Sequence, residues 1–191
     1  MTDYRYDVFI SYRRTKLIQP WVSNYFLQYF EEYLLDRLAE LDYPDDPRIF
    51  FDQIDNEPGD AWPQNLANAL STSKVLVSVC SPTYFRSKWC LSEWNSFLKR
   101  EQFLNITGLR IPVRHNDCEN YLQGIQWSDF SEYTTPATEW YQSAQAKPFY
   151  DKINEVARKV ARAIIAAPPF AAWPPVEAPD SPSPTIPQLR I

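Results

Sequence analysis

The chain is poor in histidine and glycine, and this scarcity excludes several kinds of catalytic site. His115 is the only histidine, so Ser/His/Asp or Cys/His catalysis would have to use it. Its position near the end of a predicted strand favours a structural or surface role instead. The three glycines, Gly59, Gly108 and Gly124, lie far apart. Neither a P-loop nor a GxGxxG motif can be formed from them, so a nucleotide would not be held by a glycine-rich phosphate loop.

Cysteine is also scarce. Cys80, Cys90 and Cys118 are too few and too scattered for a disulfide framework, and no Cys/His spacing predicts a metal site. We therefore expect a reducing compartment, the cytoplasm, and no metal ion. Cys90 is expected to be buried as a small apolar residue.

Long apolar runs are missing as well. The N-terminal stretch MTDYRYDVFIS lacks a basic region followed by an apolar segment, so no signal peptide is predicted. No run of ~18 apolar residues occurs, and we expect no membrane contact. The net charge of -5 and the sequence pI of about 5.0 argue against a nucleic-acid partner, which would require a basic surface.

What the sequence does contain is enough apolar material for one folded domain. Hydrophobic residues make up 45% and aromatic residues 16% of the 191 positions. After residue 167 the composition changes, because eight prolines crowd the last 24 positions. We therefore predict one domain over residues 1–167 and a flexible, proline-rich tail or linker over residues 168–191.

Short β-rich segments alternate with helical patterns along the domain. Strands are predicted at Tyr6–Ser11, Arg48–Phe51, Lys74–Cys80, Leu109–Val113 and, more weakly, Ile125–Phe130. Helices are predicted over Trp21–Leu41, from about Pro63, over Ser87–Phe103 and over Asp151–Ala166. The alternation predicts an α/β fold with a mostly parallel sheet.

Three local signals refine these elements. Pro20 suits the start of a helix at Trp21. Ser87 is a suitable N-cap for the helix that follows it. Pro112, inside the fourth predicted strand, indicates an edge strand or the end of a strand.

Polar and aromatic residues follow three of the predicted strands. In an open parallel sheet with a flavodoxin-like strand order, ligands bind beyond the carboxyl ends of the strands. The segments SYRRT, DQIDNEPGDAW and SPTYFRSKW leave those ends and would bring to one rim Tyr12, Arg13, Arg14, Trp62, Tyr84 and Trp89. Glu93 lies four residues after Trp89 on the predicted helix, so the two side chains share one helix face.

A single carboxylate between aromatic side chains fits one particular cleavage reaction. Most glycosidic bonds need a second carboxyl group to protonate the leaving alcohol. Nicotinamide in NAD+ starts as a cation and leaves as a neutral molecule, so its release needs no acid. One carboxylate could then orient the ribose and stabilise an oxocarbenium-like centre, while aromatic rings stack on the bases. Arg13 or Arg14 could meet the pyrophosphate.

Several stretches closely resemble the Toll/interleukin-1 receptor (TIR) domain family. YDVFISYRR resembles its first-strand motif, and FFDQIDNEPGDAW its second strand and BB loop. LANALSTSKVLVSVCSPTYFRSKWCLSEW resembles the stretch that ends in the helix of the catalytic glutamate. RIPV and IQWSDF resemble the later strands. The order and spacing of these parts over residues 4–166 make the resemblance specific.

The resemblance implies a flavodoxin-like three-layer fold with five parallel strands. In the enzymatic, bacterial branch of the family it also implies cleavage of NAD+ to nicotinamide and ADP-ribose or a cyclic variant. By position, the catalytic glutamate corresponds to Glu93 and the preceding tryptophan of the cleft to Trp89. Arg14, Gly59 and Trp62 correspond to positions near the substrate. NAD+ is then a substrate, and no cofactor is required.

This chain departs from the family pattern in two places. Its BB loop is long and acidic, with Asp52, Asp55, Glu57 and Asp60. The family's late Phe-Trp motif has only a loose counterpart in KPFYDKI.

Each candidate residue also has a purely structural interpretation. Glu93 could be an exposed helix charge, and Arg13 with Arg14 a solvated pair in a loop. Trp89 and Trp94 are five residues apart on one helix and cannot both face a cleft, so Trp94 is assigned to the core and Trp89 to either place. Gly59 follows a proline and could serve only a type II turn.

Two functions remain open for the whole chain. The first is an NAD+ glycohydrolase or cyclase that is activated by self-assembly through TIR–TIR contacts, in bacterial antiviral defence or signalling. The second is a non-enzymatic TIR adaptor that acts as a scaffold. A receiver or a flavodoxin fits less well, because SYRRT is neither an acidic cluster nor a phosphate loop. The proline-rich tail suggests a tether to a sensor or partner protein.

Overall fold

A computed structural model of the chain describes residues 3–51, 64–134 and 138–171. Within them, the strands are β1 (Tyr6–Tyr12), β2 (Ile49–Phe51), β3 (Ser73–Cys80), β4 (Arg110–Arg114) and β5 (Ser128–Asp129). The α-helices are α1 (Ile18–Trp21), α2 (Leu27–Ala39), α3 (Gln64–Ser71), α4 (Lys88–Leu104), α5 (Thr138–Tyr141) and α6 (Lys147–Ala166). A π-helical turn, Val22–Phe26, joins α1 to α2.

The strands form one parallel sheet in the order β2-β1-β3-β4-β5. This is the flavodoxin-like order that the family resemblance implies, so the expected fold class is confirmed. In the register, Ile10 of β1 lies opposite Phe51 on one side and Val77 on the other. From β1 the chain first continues to β2 on one side and then crosses to β3 on the other side. This reversal places the topological switch point at the carboxyl ends of β1 and β3.

Helices cover both faces of the sheet. α2 and α6 pack against each other, and α6 also contacts β1 and β3. Right-handed crossovers place α3 and α4 on the opposite face, where α4 contacts β1, β3 and β4. β3 is therefore covered on both sides, and residues 75–80 within it are fully buried, which agrees with its nearly continuous apolar sequence.

The first helical segment begins earlier than the sequence pattern predicted. α1 starts at Ile18, because the Oγ1 atom of Thr15 accepts a hydrogen bond from the Ile18 amide at 3.1 Å. Pro20 lies inside the first turn, where its missing N–H removes no helical hydrogen bond. The predicted start at Trp21 is therefore wrong by one turn.

The interpretation of Pro112 as a sign of an edge strand is also wrong. β4 lies between β3 and β5, and Pro112 pairs with Ser78 of β3. His115 N donates to β3, whereas the Arg114 carbonyl accepts from Phe130, on the β5 side. Backbone N–H and C=O groups of successive residues in a strand face its two neighbours alternately, so the backbone nitrogen of Pro112 faces the β5 side. Pairing of β4 with β5 begins one residue later, at Val113, and the N–H that proline lacks therefore breaks no hydrogen bond between the strands.

The last elements differ from prediction in length. β5 has two residues, where six were predicted over residues 125–130. α6 begins four residues before the predicted Asp151, because Pro148 fits the second position of a helix.

Only the start of the predicted tail belongs to the described residues. After α6 the chain runs along the N-terminal segment, where the Tyr4 hydroxyl donates to the Pro168 carbonyl at 3.0 Å. The rings of Tyr4 and Phe170 meet edge to face at 5.3 Å. Residues 172–191 lie outside the described part of the chain. None of the described helices is long and apolar enough to cross a bilayer.

Candidate active site

Glu93 lies on the inner face of α4, about one and a half turns from its start at Lys88. Ser87 is the N-cap, as predicted, and its side chain accepts a hydrogen bond from the Cys90 amide at 3.4 Å. Glu93 retains only 8% of its exposure, because α4 turns this face towards the carboxyl ends of β1 and β3. The alternative that Glu93 is an exposed helix charge is therefore wrong.

The Glu93 carboxylate accepts a hydrogen bond from the first strand. Ser11 Oγ donates to Glu93 Oε2 at 2.5 Å, and the Tyr84 hydroxyl lies 2.7 Å from the same Ser11 oxygen. Tyr84 also lies within 3.3 Å of Ser78 Oγ on β3. We refer to Ser78, Tyr84 and Ser11 as the hydroxyl chain. It connects the carboxyl ends of two neighbouring strands to one carboxylate.

Tyr84 occupies a different place from the one expected at the rim. It stands in a 3-10 turn directly after β3, and its side chain is fully buried. Burial, together with the nearby Cys90, Cys80 and Glu93, raises the pKa of its phenol well above 10, so the hydroxyl stays protonated. Because it has no exposed surface, Tyr84 does not offer a substrate contact. Its hydroxyl instead contacts Ser11 from within the core.

Aromatic side chains surround this edge of the sheet. Tyr12, at the end of β1, is buried and stacks on Phe51 of β2 at 5.3 Å. Trp89 is half-buried and packs against the core. Trp94 is buried, meets Phe85 edge to face and belongs to the core, as predicted.

The two arginines after β1 are both half-buried. Arg13 Nη1 donates to Ser87 Oγ at 3.3 Å, so its guanidinium lies at the N-terminus of α4. This contact joins the loop after β1 to the helix that carries Glu93. An arginine and a helix N-terminus both favour a negative group nearby.

Other candidates lie outside the described residues. Gly59 and Trp62 fall within residues 52–63, as do the acidic positions of the same loop. Their proposed place near the substrate therefore stays a prediction.

Cysteine and histidine offer no activated nucleophile or base among the described residues. Burial raises the pKa of all three thiols, that of Cys118 to about 11. For Cys90 the negative charge of Glu93 raises the pKa further. His115 is buried against Trp21, and burial lowers its pKa below 6.5, so the ring is neutral and structural. The described part of the chain contains no group of three or more side chains suited to hold a metal ion.

Ser11 and Ser78 were not singled out from the sequence. Each is a hydroxyl residue in an otherwise apolar strand, and the two are register partners across β1 and β3. Register partners point to the same face of a sheet, so their hydroxyls converge on α4. The sequence signal for these residues was a serine near the end of each of two apolar strands. Only the pairing of β1 with β3 shows that the two serines lie side by side.

Comparisons with known proteins identify the family to which the chain belongs. Among solved structures, the TIR domain of the Toll-related receptor TRR-2 from Hydra magnipapillata is 21% identical, over 77% of this chain and 98% of that one, with a TM-score of 0.40. The TIR domains of the activated Roq1 resistosome, which recognises the pathogen effector XopQ, are 20% identical over 82% and 84%, with a TM-score of 0.41. No curated protein matches the chain. A family model described as "TIR domain" matches residues 8–145, and the chain therefore belongs to the TIR domain family.

Proposed function

We propose that this TIR domain is an NAD+ glycohydrolase or cyclase in which Glu93 is the catalytic residue. The observation that carries the proposal is the buried Glu93 carboxylate, which accepts a hydrogen bond from Ser11 at the carboxyl ends of β1 and β3. A buried carboxylate is costly to maintain, and the switch point of a doubly wound sheet is the usual place for a ligand.

The reaction needs little from the protein besides this carboxylate. The bond between the ribose C1′ and the nicotinamide nitrogen breaks, and its electron pair stays on the nitrogen, so nicotinamide leaves neutral. The cationic centre at C1′ is stabilised by the nearby carboxylate. Water then attacks C1′ to give ADP-ribose and a proton, or a nucleophile within the same molecule attacks to give a cyclic product. Neither route requires a thiol, a histidine or a metal ion.

The surrounding residues supply the remaining contacts in this proposal. Arg13 and Arg14 meet the pyrophosphate, Arg13 from its position at the N-terminus of α4. Trp89 provides an aromatic wall one turn before Glu93, and Tyr12 shapes the rim between β1 and β2. Gly59 and Trp62 remain proposed substrate contacts in the loop after β2.

We further propose that activity rises when copies of this domain assemble through TIR–TIR contacts in the cytoplasm. In this proposal, the tail links the domain to a sensor or partner protein in bacterial defence or signalling. A dilute monomer would then turn over NAD+ more slowly than protein clustered on beads or by a fused oligomer. Equal rates in both forms would contradict the requirement for assembly.

The proposed activity is tested with clustered full-length protein and NAD+, with the products separated by chromatography. We expect nicotinamide release by the parent protein and a loss of at least about 100-fold in Glu93→Gln, since the neutral amide cannot stabilise the cation. Glu155→Gln, on the exposed face of α6, is the matched control and should retain full activity. Absence of turnover by all three clustered proteins would favour the scaffold function.

A further inference from the structure

The hydroxyl chain meets Glu93 with a defined direction of its protons. Ser11 has one hydroxyl proton, and its donation to Glu93 leaves the Ser11 oxygen free to accept. The Tyr84 hydroxyl can donate its one proton to Ser78 at 3.3 Å or to Ser11 at 2.7 Å. Because the proton of Ser11 goes to Glu93, the shorter contact requires donation from Tyr84 to Ser11, and Ser78 is the weaker acceptor for the same proton. The protons then point from Tyr84 to Ser11 and from Ser11 to the carboxylate.

The surroundings prevent the hydroxyl chain from exchanging its partners with water. Tyr84 and Ser78 are fully buried, and Ser11 is 1% exposed. In such a site a hydrogen bond to a charged group is stronger than in water, and each donor reinforces the next. The Ser11 hydroxyl cannot rotate away from Glu93 without losing this bond or its contact with Tyr84.

We propose that Ser11 and Tyr84 are positioning residues, Ser11 directly and Tyr84 through Ser11, that hold the Glu93 carboxylate ionised and in one orientation. The catalytic meaning of this inference rests on the function proposed above. The positioning contact does not depend on that function, because its effect on the Glu93 carboxylate can be measured without substrate.

The ionisable groups around Glu93 allow that measurement to be interpreted. Among the described residues they include Tyr84 after β3, Cys90 on α4, and Arg13 after β1. Burial raises the pKa values of Tyr84 and Cys90, so both stay neutral across the acid range. Neither group therefore gains or loses a proton during a titration of Glu93 between pH 3 and 8.

The test is a ¹³C NMR titration of the Glu93 carboxyl in the full-length chain, with its signal assigned by its loss in Glu93→Gln. Ser11→Ala removes the donor to the ionised form, so the midpoint should rise by about one pH unit. Tyr84→Phe deletes one oxygen and should raise it by less. The double variant should match Ser11→Ala alone, because Tyr84 acts through Ser11.

The controls separate positioning from a general loss of structure. Ser73→Ala removes another fully buried serine, which lies at the amino end of β3, away from Glu93, and whose hydroxyl donates to the Ala69 carbonyl. This variant should leave the titration midpoint of Glu93 unchanged. Ser11→Thr keeps a hydroxyl and should return the midpoint towards that of the parent protein. If Ser11→Ala fails to fold, Tyr84→Phe carries the test, because it keeps the ring and all its packing.

Activity provides a second readout on the same variants. The acid limb of the pH profile for NAD+ cleavage should move to higher pH in Ser11→Ala, and kcat at pH 7.5 should fall about tenfold. An unchanged Glu93 midpoint in both single variants overturns the inference, whatever the activity. A raised midpoint in a protein that never cleaves NAD+ supports the positioning contact and rejects the proposed function.

Discussion

At the scale of single residues, two buried carboxylates on this sheet have different surroundings. Asp7, at the start of β1, is fully buried and accepts hydrogen bonds from the Tyr43 hydroxyl at 2.6 Å and the Arg48 amide at 2.9 Å. Lys74 Nζ lies 2.8 Å from Oδ1, the carboxylate oxygen that also accepts from Tyr43. Asp7 is at the amino edge of the sheet, and Glu93 is at the carboxyl edge, where open parallel sheets generally bind their ligands. The first is a structural carboxylate, and the second is the one we assign to catalysis.

Asp7 should make the stability of the domain depend on acid. Burial by itself would raise its pKa, but the bonds from Lys74, Tyr43 and Arg48 outweigh burial and lower the pKa below 3.8. A carboxyl with a lower pKa in the folded state contributes stability above its unfolded pKa of about 3.9. That contribution is lost as the pH falls through the lower, folded value.

We therefore expect the free energy of unfolding in urea to decrease between pH 5 and pH 2.5, and Asp7→Asn to weaken this decrease. The exposed Asp46→Asn is the matched control and should retain the pH dependence of the parent protein. The same acid dependence in Asp7→Asn as in the parent chain would show that other carboxylates cause it.

Residue types were easier to predict from the sequence than their burial. The spacing of SKWCLSEW singled out Glu93 and assigned Trp94 to the core. The sequence did not show that Glu93 is buried, because its donor Ser11 lies 82 positions away and comes near only through the sheet. Tyr84 was expected at the rim for a similar reason: a tyrosine after a strand can point outward or inward, and packing decides which.

At the scale of elements, α4 is bound to the helix before β3 through one buried side chain. Arg100 Nη1 donates to the Ser73 carbonyl at 2.7 Å, and its Nη2 atom is 3.2 Å from the carbonyl of Leu70 at the end of α3. The last carbonyls of a helix have no partner within the helix, so Arg100 caps α3 from a neighbouring element. Burial lowers the pKa of Arg100 to about 10, which still leaves the guanidinium charged at neutral pH.

Arg100→Met should therefore loosen the end of α3 more than it disturbs α4. We expect a loss of about 2–3 kcal/mol in unfolding free energy, since several buried carbonyls lose a charged donor. Hydrogen exchange should accelerate at the amides of residues 70–73, with smaller changes in α4. Arg158→Met, on the exposed side of α6, is the control and should change neither quantity. Uniform acceleration over the whole domain would contradict a local role.

The first four strands and α4 were predicted best, whereas the start of the longest helix, α6, was predicted four residues too late. β3 and α4 agree with their predicted bounds within one residue, because burial on both faces and a serine N-cap mark them locally. β5 was overestimated, since only Ser128 and Asp129 find partners on β4. The start of α1 was missed because the residue before it, Leu17, is not a typical N-cap. The side chain that accepts from the Ile18 amide belongs to Thr15, three residues before the helix, and the aromatic periodicity begins only at Trp21.

At the scale of the whole molecule, the candidate site and the segment after α6 lie at opposite edges of the sheet. The candidate site lies at the carboxyl edge, with Ser11 and Glu93. At the amino edge, Pro168 and Phe170 contact Tyr4. Tyr4 and Ser11 are seven residues apart, most of them in β1, which corresponds to a separation of at most about 23 Å.

This separation predicts that the Tyr4–Phe170 contact affects stability and not catalysis. Phe170→Ala in the full-length chain removes an edge-to-face ring contact and should lower the unfolding free energy by about 1 kcal/mol. Cleavage of NAD+ should be unchanged when parent and variant are clustered identically, because Ser11 and Glu93 keep their contact. Phe103→Ala is the matched control, since that ring is 67% exposed and should cost less stability. A change in NAD+ cleavage by Phe170→Ala under identical clustering, with none in Phe103→Ala, would instead show that the start of the tail is coupled to the site across the sheet.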